Sequence, residues 1–485
     1  MSNLLRWVWV SLVLVVCLIG LTACRAGVAA NNVTHLTLWH GVNPPPNRDV
    51  LQRLVDRFNQ THPQIQVESL YVGQGDQQIP KILSAVVGGV PPNLLWYAPM
   101  LTGQLVELDA IVPLEDWLDP LPIKQDIDPT LFESMQWEGH LWSVPFSVNN
   151  VGVFYRPSLF AAAGITELPQ TWNDFRQVAR RLTNPQTDQY GLLLPLGKGE
   201  WTVFMWLPFL WSGGGEVGGR SQESGFPERQ RTGVRSQELG GGSQASFVER
   251  APRATVRSAE PELGVRKHSG SFRPESNFKI DLVNDGAIAA LQFWRDLIED
   301  GSVILSQPER GYELDQFLAG KVAMQLTGPW TLGQLQATGV DFAVMPIPVL
   351  ERPATSIGGE NLFIFKTSPA EEQAAQVFAE YVLSEEFQTE WAIATGYLPV
   401  NLQARQNPKY QAFLQQQPVV KVFLQQAQYG RSRPIFPGYS RLSDALGRAI
   451  EAVLLGKSTP EAALGQAQQR LERVLEVIPI LSFEF

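Results

Sequence analysis

The stretch HLTLWHGVNPPPNRDVLQRLVDRFNQTHPQIQVESLYV (residues 35–72) contains two hydrophobic patterns in turn. HLTLW (35–39) reads as a strand, and QIQVESLYV (64–72) alternates apolar and polar residues, as a half-buried strand does. Between them, apolar residues recur at helical spacing after Asn47, a plausible helix cap. Strand, helix and strand at this spacing form a βαβ unit, which predicts a parallel sheet within an α/β lobe.

The alternation of helical and strand-like segments continues along the chain. The predicted strands are NLLWYA (93–98), two runs around Asn149-Asn150 in LWSVPFSVNNVGVFYR (141–156), KVAMQLTG (321–328) and DFAVMPIP (341–348). The predicted helices are 79–89, 172–182, 287–300, 371–395, 443–456 and 460–478. WTVFMWLPFLWSGGG (201–215) fits neither period, because its three tryptophans are five residues apart, and they therefore cannot all face one core.

The composition is that of a globular protein, with 44% hydrophobic residues. The 485 residues are too many for one compact core, so the usual domain size predicts two lobes. A net charge of −10 argues against a nucleic-acid partner, which requires a basic face. The fourteen tryptophans offer flat apolar faces with a polar N–H, suited to stacking on a ring that carries hydroxyls, although most tryptophans lie in protein cores.

Both cysteines lie near the N-terminus, in LVVCLIGLTACRAG (13–26). One cation, Arg6, precedes an apolar run that ends in small residues, which is the arrangement of a secretory signal. The uncharged run from Trp7 to Ala23 also approaches the roughly 17–25 residues that span a bilayer, so a one-pass anchor is the alternative.

Residues 217–277 differ in character from the rest of the chain. Gly, Ser, Arg and Gln dominate, apolar periodicity is lost, and RSQES recurs as RSQEL. The segment carries ten Lys/Arg against seven Asp/Glu, whereas the rest of the chain carries 28 against 41. Such a composition buries too little surface to offset its ordering entropy, which predicts a disordered insertion. The alternative is a basic arm that docks on anionic lipid.

The four residues LTAC (21–24) resemble the lipobox of bacterial lipoproteins, in which the signal is cut before a cysteine that is then lipidated. The resemblance implies a signal peptide over 1–23, a tether over 24–34 and acyl chains on Cys24. Each buried methylene contributes roughly 0.8 kcal/mol, so several acyl chains hold a soluble domain at a membrane surface. Cys17 would leave with the signal, and we expect no disulfide and no thiol site in the mature chain.

Eight short motifs extend over nearly the whole mature chain. They are LTLWHG (36–41), FNQTHPQIQVE (58–68), VPFSVNNVGVFYRPSLFAAAGI (144–165), LPQTWNDF (168–175), FLAGKVAMQLTGPW (317–330), Gly358-Gly359, TGYLPVN (395–401) and LLGKSTPEAAL (454–464). In this order the motifs resemble those of the extracellular solute-binding proteins of bacterial ABC importers. The resemblance is to the family that binds carbohydrates and glycerol-phosphate-type ligands.

The resemblance implies a periplasmic-binding-protein-like α/β fold with two lobes joined by crossing hinge strands. Lobe 1 would begin with 35–150, lobe 2 would span 151–330 with the insertion at 217–277, and 331–485 would complete both lobes. The lobes of this family close on a ligand, and the closed form is the one that the membrane permease of the importer reads. We expect a monomer without cofactor or metal.

A site for a polyol needs aromatic faces for the C–H surfaces of a ring and a few placed donors and acceptors for hydroxyls. The resemblance implies ligand contacts at Trp39, His40, Asn149, Trp206, Gly328, Trp330, Gly359, Glu360 and Tyr397. A structural role is the alternative at several of these positions: Trp39 as a core cap, His40 as a surface residue and Trp206 as a packing residue.

Two further segments supply polar candidates. In YVGQGDQ (71–77), Gln74 and Asp76 follow the second strand, where a carboxylate could accept hydroxyl hydrogen bonds, although Asp76 could equally be a solvated loop acid. In RPIFPGYSRL (433–442), the candidates are Tyr439 and Arg441. Glycerol-phosphate-binding members of the family place an arginine near here, and a bidentate guanidinium suits a phosphate.

Three other functions compete with carbohydrate capture. A glycerol phosphate or polyol could be the ligand, although the negative net charge favours a neutral sugar. A lipid-anchored glycoside hydrolase would need two carboxylates roughly 5–10 Å apart, and no stretch pairs them. The chain has no HExxH, GxSxG, P-loop or Cys/His cluster, which argues against an enzyme or a metal site. A degenerate binding protein that acts only as a partner or sensor is the third alternative.

Overall fold

The computed structural model describes residues 33–74, 77–220, 278–306 and 314–477. The predicted signal peptide, Cys24 and Asp76 lie outside the described residues. One compact unit ends at Val217 and resumes at Ile280, and a second unit runs from Gly218 to Lys279. Both sheets described next belong to the first unit.

A first five-stranded sheet contains the opening βαβ unit. In spatial order its strands are β2 (Ile65–Tyr71), β1 (Thr34–His40), β3 (Leu94–Tyr97), β16 (Asn361–Ile364) and β6 (Val144–Pro145). β1 is parallel to both of its neighbours, whereas β16 is antiparallel to β3 and β6. The parallel pairing of β1 with β2 confirms the predicted βαβ unit.

A second five-stranded sheet forms the other lobe. In spatial order its strands are β12 (Val303–Ser306), β9 (Tyr190–Pro195), β13 (Val322–Thr327), β8 (Gly152–Tyr155) and β14 (Ala343–Met345). β9 is parallel to β12 and β13, and β8 is antiparallel to β13 and β14. Helices flank both sheets, which gives two α/β lobes.

A small three-stranded sheet connects the lobes, in the order β17 (Gly430–Ser432), β15 (Thr355–Gly358) and β7 (Asn149–Asn150). The chain passes from the first sheet to the second through β7 and returns through β15. These two strands pair antiparallel, with Gly358 opposite Asn149. They are crossing hinge strands of the kind that the motifs predicted, whereas lobe boundaries at 150 and 330 stay a prediction.

Eighteen α-helices are present among the described residues. They are α1 (Pro45–Thr61), α2 (Gln78–Val87), α3 (Thr102–Glu107), α4 (Glu115–Leu118), α5 (Phe132–Met135), α6 (Pro157–Ala162), α7 (Trp172–Leu182), α8 (Glu200–Ser212), α9 (Asp285–Glu299), α10 (Asp315–Leu318), α11 (Leu332–Thr338), α12 (Pro369–Leu383), α13 (Glu385–Thr395), α14 (Leu402–Gln406), α15 (Pro408–Gln416), α16 (Val419–Gln426), α17 (Tyr439–Leu454) and α18 (Pro460–Val477). Among the described residues, no helix combines the length and the apolar character that a membrane span requires.

Local sequence explains where helix α7 begins. The hydroxyl of Thr171 accepts a hydrogen bond from the backbone N–H of Asp174 at 3.2 Å, and the carboxylate of Asp174 accepts one from the N–H of Thr171 at 3.1 Å. This capping box satisfies two backbone donors that a helix start leaves unpaired. It confirms the helix predicted over 172–182.

Helix α8 shows why its own segment matched no period. All but one of its thirteen residues are buried, so the helix is apolar on every side. A helix that is hydrophobic all round lies in a core and has no amphipathic stripe to detect. The five-residue spacing of its tryptophans is therefore compatible with a helix, because several sides of this helix are buried.

Two helix predictions need correction. Helix α1 begins at Pro45, with Pro44 as its cap, so Asn47 lies inside the helix and is not the cap. Proline is favoured in the first turn of a helix. The single helix predicted over 371–395 is two helices, α12 and α13. Ser384 between them has extended backbone, and its hydroxyl accepts a hydrogen bond from the N–H of Phe387 at 3.2 Å, which starts the second helix.

The described residues at the start of the predicted insertion form a strand. Residues Gly218–Arg220 form strand β10, which pairs with β11 (Phe278–Ile280), contrary to the prediction of disorder from residue 217. Residues 221–277 lie outside the described residues. A further two-stranded pair, β4 (Gln136–Trp137) and β5 (His140–Leu141), lies in the first unit.

Candidate functional site

A cavity lies where the ends of both sheets meet the hinge strands. Six aromatic side chains line it: Trp96, Tyr97, Trp201, Phe204, Trp330 and Tyr397. Seven polar side chains line it as well: Asn43, Gln74, Gln78, Asn149, Glu200, Glu360 and Arg433. Trp96 belongs to β3 of the first sheet, and Trp330 follows β13 of the second, so both lobes contribute to the wall.

The aromatic side chains are held in fixed positions by close packing. The rings of Trp201 and Trp330 meet edge to face, with centroids 5.8 Å apart. A Cβ atom at Gly328 would lie only 1.9 Å from the ring of Trp330, so the absence of a side chain there lets this ring fold back over the backbone. Tyr397 packs against Trp391 at 5.7 Å. The cavity therefore presents rigid aromatic edges and faces.

Three buried polar atoms of the cavity wall have no hydrogen-bond partner among the described residues. They are Oε1 of Gln78, Nε1 of Trp96 and Oδ1 of Asn149. The amide of Gln78 is nonetheless oriented, because its Nε2 donates to the carbonyl of Gly73 at 2.7 Å. An unpaired buried polar atom costs free energy, so these atoms favour a ligand that donates and accepts hydrogen bonds.

The hinge brings backbone unusually close to the cavity. Gly359 has a φ of +120°, a value that favours glycine. A Cβ atom at this position would lie 2.1 Å from the carbonyl oxygen of Ser147. A larger residue could not pass between the crossing strands here, and the tight turn places Glu360 at the cavity wall.

Two of the three charged groups of the cavity wall, Arg433 and Glu200, form an ion pair. Nη1 of Arg433 donates to a carboxylate oxygen of Glu200 at 2.7 Å, and the two side chains are 9% and 6% exposed. Burial alone would lower the pKa of Arg433, but the nearby Glu200, Tyr439 and Glu360 together outweigh burial and raise it. Glu360 accepts a hydrogen bond from the hydroxyl of Ser147 at 3.2 Å.

Six of the predicted contact residues line the cavity: Gln74, Asn149, Trp330, Gly359, Glu360 and Tyr397. They come from five separate segments of the chain, which the fold brings together. Their roles in binding stay predictions. Asp76 lies outside the described residues, so its predicted role is untouched.

Trp39 and His40 do not line the cavity. Strand β1 buries Leu38 and His40 on one face and leaves Trp39 half-buried on the other, beside Lys81. The Nδ1 atom of His40 accepts a hydrogen bond from the N–H of Val42 at 3.3 Å. Burial, with a smaller effect of the Arg48 guanidinium, lowers the pKa of His40 to about 4. His40 therefore supports the loop after β1, and this loop reaches the cavity through Gly41 and Asn43.

The choice of Trp206 is also corrected. Its side chain is fully buried in α8, whereas Trp201, one residue into the same helix, lines the cavity. Five residues of helix turn the side chain by about 140°, so the two tryptophans point to different sides. Gly328 does not line the cavity but makes room for the ring of Trp330.

Tyr439 and Arg441 lie beside the site rather than in it. Tyr439 is 1% exposed, and its hydroxyl donates to the Glu200 carboxylate at 3.0 Å. Arg441 is exposed on α17. The arginine that lines the cavity is Arg433, eight residues earlier in the same segment, and a binding role for Arg441 stays a prediction.

Several cavity residues were not predicted. Trp96 and Tyr97 end a predicted strand, and ligands of α/β proteins bind at the carboxyl ends of strands, so this signal could have found them. Gln78, Trp201, Phe204 and Met100 carried no such signal. The pair of Glu200 and Arg433 joins residues 233 positions apart, which a single sequence does not connect.

The described residues contain no group of three or more His, Cys, Asp or Glu side chains that could hold a metal ion. The chemistry of the cavity is that of stacking and hydrogen bonding. Aromatic faces, oriented amides and paired charges suit recognition of a polar ring-shaped solute.

Known proteins resemble the chain in sequence over most of its length. The maltotriose-binding protein of Pyrococcus abyssi is 19% identical over 431 residues, which cover 86% of this chain and 77% of that protein. The sn-glycerol-3-phosphate-binding periplasmic protein of Escherichia coli is 22% identical over 465 residues, which cover 92% of this chain and 93% of that protein.

Solved structures resemble the fold. A solute-binding protein of an ABC transporter from Thermotoga lettingae, bound with alpha-D-tagatose, has a TM-score of 0.71 at 20% identity and covers 91% of this chain and 100% of its own. The protein UgpB of Mycobacterium tuberculosis, in complex with glycerophosphocholine, has a TM-score of 0.71 at 18% identity. The match covers 91% of this chain and 98% of that one. These likenesses confirm the two-lobed α/β fold.

A family model extends the resemblance to a family assignment. The model described as "Bacterial extracellular solute-binding protein" matches residues 53–415, well over half of the chain. Proteins of this family bind solutes outside the cytoplasm and are not enzymes, which sets the hydrolase alternative aside. The chain belongs to the family of bacterial extracellular solute-binding proteins.

Proposed function

We propose that this protein captures a carbohydrate in the cavity between its lobes and delivers it to the permease subunits of an ABC importer. One observation carries the proposal: six aromatic side chains and three unpartnered buried polar atoms meet in a single cavity. Aromatic faces pack on the C–H surfaces of sugar rings, and hydroxyl groups can pair with both unpartnered donors and unpartnered acceptors.

The position of the cavity supports capture by closure. Trp96 comes from the first lobe and Trp330 from the second, so a ligand between them would contact both lobes only in the closed form. Binding then shifts the population toward that form by the difference in affinity between the two forms. A permease that recognises the closed form would receive only loaded protein.

The relatives support more than one ligand class. The maltotriose-binding relative and the tagatose complex favour a carbohydrate, whereas the Escherichia coli relative favours glycerol phosphate. Arg433 is the observation that favours a phosphate, because a guanidinium binds phosphate with two parallel hydrogen bonds. Its pairing with Glu200 favours a neutral ligand, and we therefore place carbohydrate first and glycerol phosphate or another polyol second.

A thermal-shift screen tests the proposal. The full-length chain in mild detergent is heated with mono-, di- and oligosaccharides, polyols and glycerol phosphates, and unfolding is followed by tryptophan emission. At a hundred times its dissociation constant, a ligand stabilises the folded state by about 2.7 kcal/mol, which shifts the midpoint by several degrees. A shift with one saccharide, recovered unchanged, is the expected result. A shift with glycerol phosphates alone would favour the second candidate, and no shift in the panel would contradict both.

We also propose that Cys24 anchors the protein to the membrane and that the protein works as a monomer. The lipobox-like LTAC and the tether that follows it support the anchor, and the pairing of cavity residues within one chain supports the monomer. In cells fed a labelled fatty acid, Cys24→Ala should remove the label and release the protein from the membrane fraction. Label that stays on the variant would contradict acylation at Cys24.

A further inference from the structure

The guanidinium of Arg433 is the one positive charge among the described residues of the cavity wall. It lies over the ring of Phe204, with Cζ 4.6 Å from the ring centroid, and its side chain is 9% exposed. The hydrogen bonds of the described residues involve only its Nη1 atom, which donates to Glu200. The other two nitrogens have no hydrogen-bond partner among the described residues, but the charge already has one in Glu200.

The carboxylate of Glu200 is held by three donors. Besides Arg433, it accepts hydrogen bonds from the hydroxyl of Tyr439 at 3.0 and 3.1 Å and from the hydroxyl of Ser443. Tyr439 and Ser443 are both buried on α17. These bonds fix the carboxylate beside the guanidinium, because three donors leave it little freedom to rotate away.

The wall carries a second carboxylate, Glu360, so two negative groups face one positive group in the cavity. A phosphate ester entering this cavity would meet a guanidinium that is already neutralised and an additional carboxylate that repels it. A neutral hydroxyl would meet the same guanidinium as a hydrogen-bond donor without repulsion. The arrangement favours uncharged ligands by electrostatics alone.

We propose that Glu200 determines the charge of the ligand: by pairing Arg433, it makes the cavity reject phosphate esters and accept neutral polyhydroxylated solutes. This inference rests on the proposed function of the cavity. It assigns to Glu200 a role in specificity that a purely structural ion pair would not have. Removal of the Glu200 charge should then create an anion site from residues that are already in place.

The test is a calorimetric titration of the full-length chain with sn-glycerol 3-phosphate and with inorganic phosphate. Glu200→Gln keeps the size of the side chain and frees Arg433 from its ion pair. Affinity for both anions should then rise about tenfold or more, because hydrogen bonds between charged groups are stronger than those between neutral groups. Added salt should reduce this gain. The double variant Glu200→Gln with Arg433→Gln should lose it.

Glu360→Gln is the matched control. It removes one negative charge from the same cavity wall but leaves the pair of Glu200 and Arg433 intact, so it should give a much smaller gain in anion affinity. An equal gain in both variants would overturn the inference, because net charge rather than the pairing would then set ligand choice. If Glu200→Gln fails to fold, Glu200→Asp retracts the carboxylate by one methylene and should give a smaller gain. Absence of any gain in Glu200→Asp would then overturn the inference.

The wild-type chain separates this inference from the proposed function. If the wild-type chain binds glycerol phosphate more tightly than any neutral saccharide, the inference is wrong while solute capture stands. If the wild-type chain binds no saccharide but Glu200→Gln acquires the anion, the exclusion of phosphate esters by Glu200 stands and carbohydrate capture fails.

Discussion

Asn149 and Asn150 are adjacent on the hinge strand β7, yet they have opposite environments. The side chain of Asn150 is fully buried, donates to the carbonyl of Phe423 at 2.8 Å and accepts from Gln426 at 3.3 Å. Asn149 faces the cavity, and its Oδ1 has no partner among the described residues. Both are buried amides, but only the first is satisfied by the protein itself.

The difference separates positions that hold the fold from positions that await a ligand. Two tryptophans of helix α8 show the same difference: Trp206 is fully buried in the core, whereas Trp201 contacts Trp330 at the cavity. In both pairs the residue type is the same and the direction of the side chain differs. A change at the first kind of position should therefore lower stability, and a change at the second kind should lower affinity.

Trp206→Ala should give the largest effect on stability. A fully buried tryptophan replaced by alanine loses about 3–5 kcal/mol of the free energy of unfolding, through lost contacts and the cavity that remains. The measurement is chemical denaturation followed by circular dichroism. Trp201→Ala in the same helix is the control, and we expect a smaller loss of stability together with weaker ligand binding. The reverse pattern would contradict the assignment of the two tryptophans.

Asn150→Leu should lower stability by about 2–4 kcal/mol. The substitution leaves the carbonyl of Phe423 and an N–H of Gln426 without their partner in a buried hinge, and each unsatisfied group costs about 1–3 kcal/mol. Denaturant midpoints of the variant and the wild-type chain give the difference. A loss below about 1 kcal/mol would show that the hinge relaxes around the change.

His40 should make stability depend on pH. Its pKa is about 4 in the folded state against an ordinary value of 6.5, so the folded state binds fewer protons between these values. The stability that neutral His40 contributes to the folded state is fully present above pH 6.5 and is lost as pH falls through about 4. We expect a loss of about 2–3 kcal/mol from pH 7 to pH 4.5 that His40→Gln lacks. His35→Gln, an exposed position of the same strand, is the control and should keep the wild-type loss.

Asn149→Leu should change affinity and leave stability almost unchanged. In the folded protein, Oδ1 of Asn149 has no partner among the described residues, so the substitution removes no hydrogen bond within the protein. A bound hydroxyl group of the ligand would lose its hydrogen bond to Oδ1, which contributes about 0.5–1.5 kcal/mol to binding. Affinity for the saccharide found in the thermal-shift screen should therefore fall by up to about tenfold. A stability loss as large as that of Asn150→Leu would erase the distinction between the two amides.

Much of the architecture could be predicted because it depends on local patterns. The period of residues 35–72 predicted the βαβ unit, and the motifs around Gly358-Gly359 and TGPW marked segments that do reach the cavity. These segments could be found because close backbone approach needs glycine, as the φ of Gly359 shows. The lobes and the hinge followed from the order of the motifs.

The direction of individual side chains could not be predicted in the same way. Trp39 lies near the end of β1 and Trp201 near the start of α8, and only the packing of the completed fold decides which one reaches the cavity. Helix α8 is buried at all but one of its residues and has no polar face to orient it. Glu200 meets Arg433 only because α8 and the segment after β17 pack together in three dimensions.

The most direct test of the central claim is a crystal structure of the protein with the saccharide that gives the largest thermal shift. We predict electron density for the sugar between Trp96 and Trp330, with a hydroxyl within hydrogen-bond distance of Asn149 Oδ1 and the lobes closed around it. Density for the sugar at another surface, with the cavity empty and Asn149 still unpaired, would contradict the assignment of this cavity as the binding site.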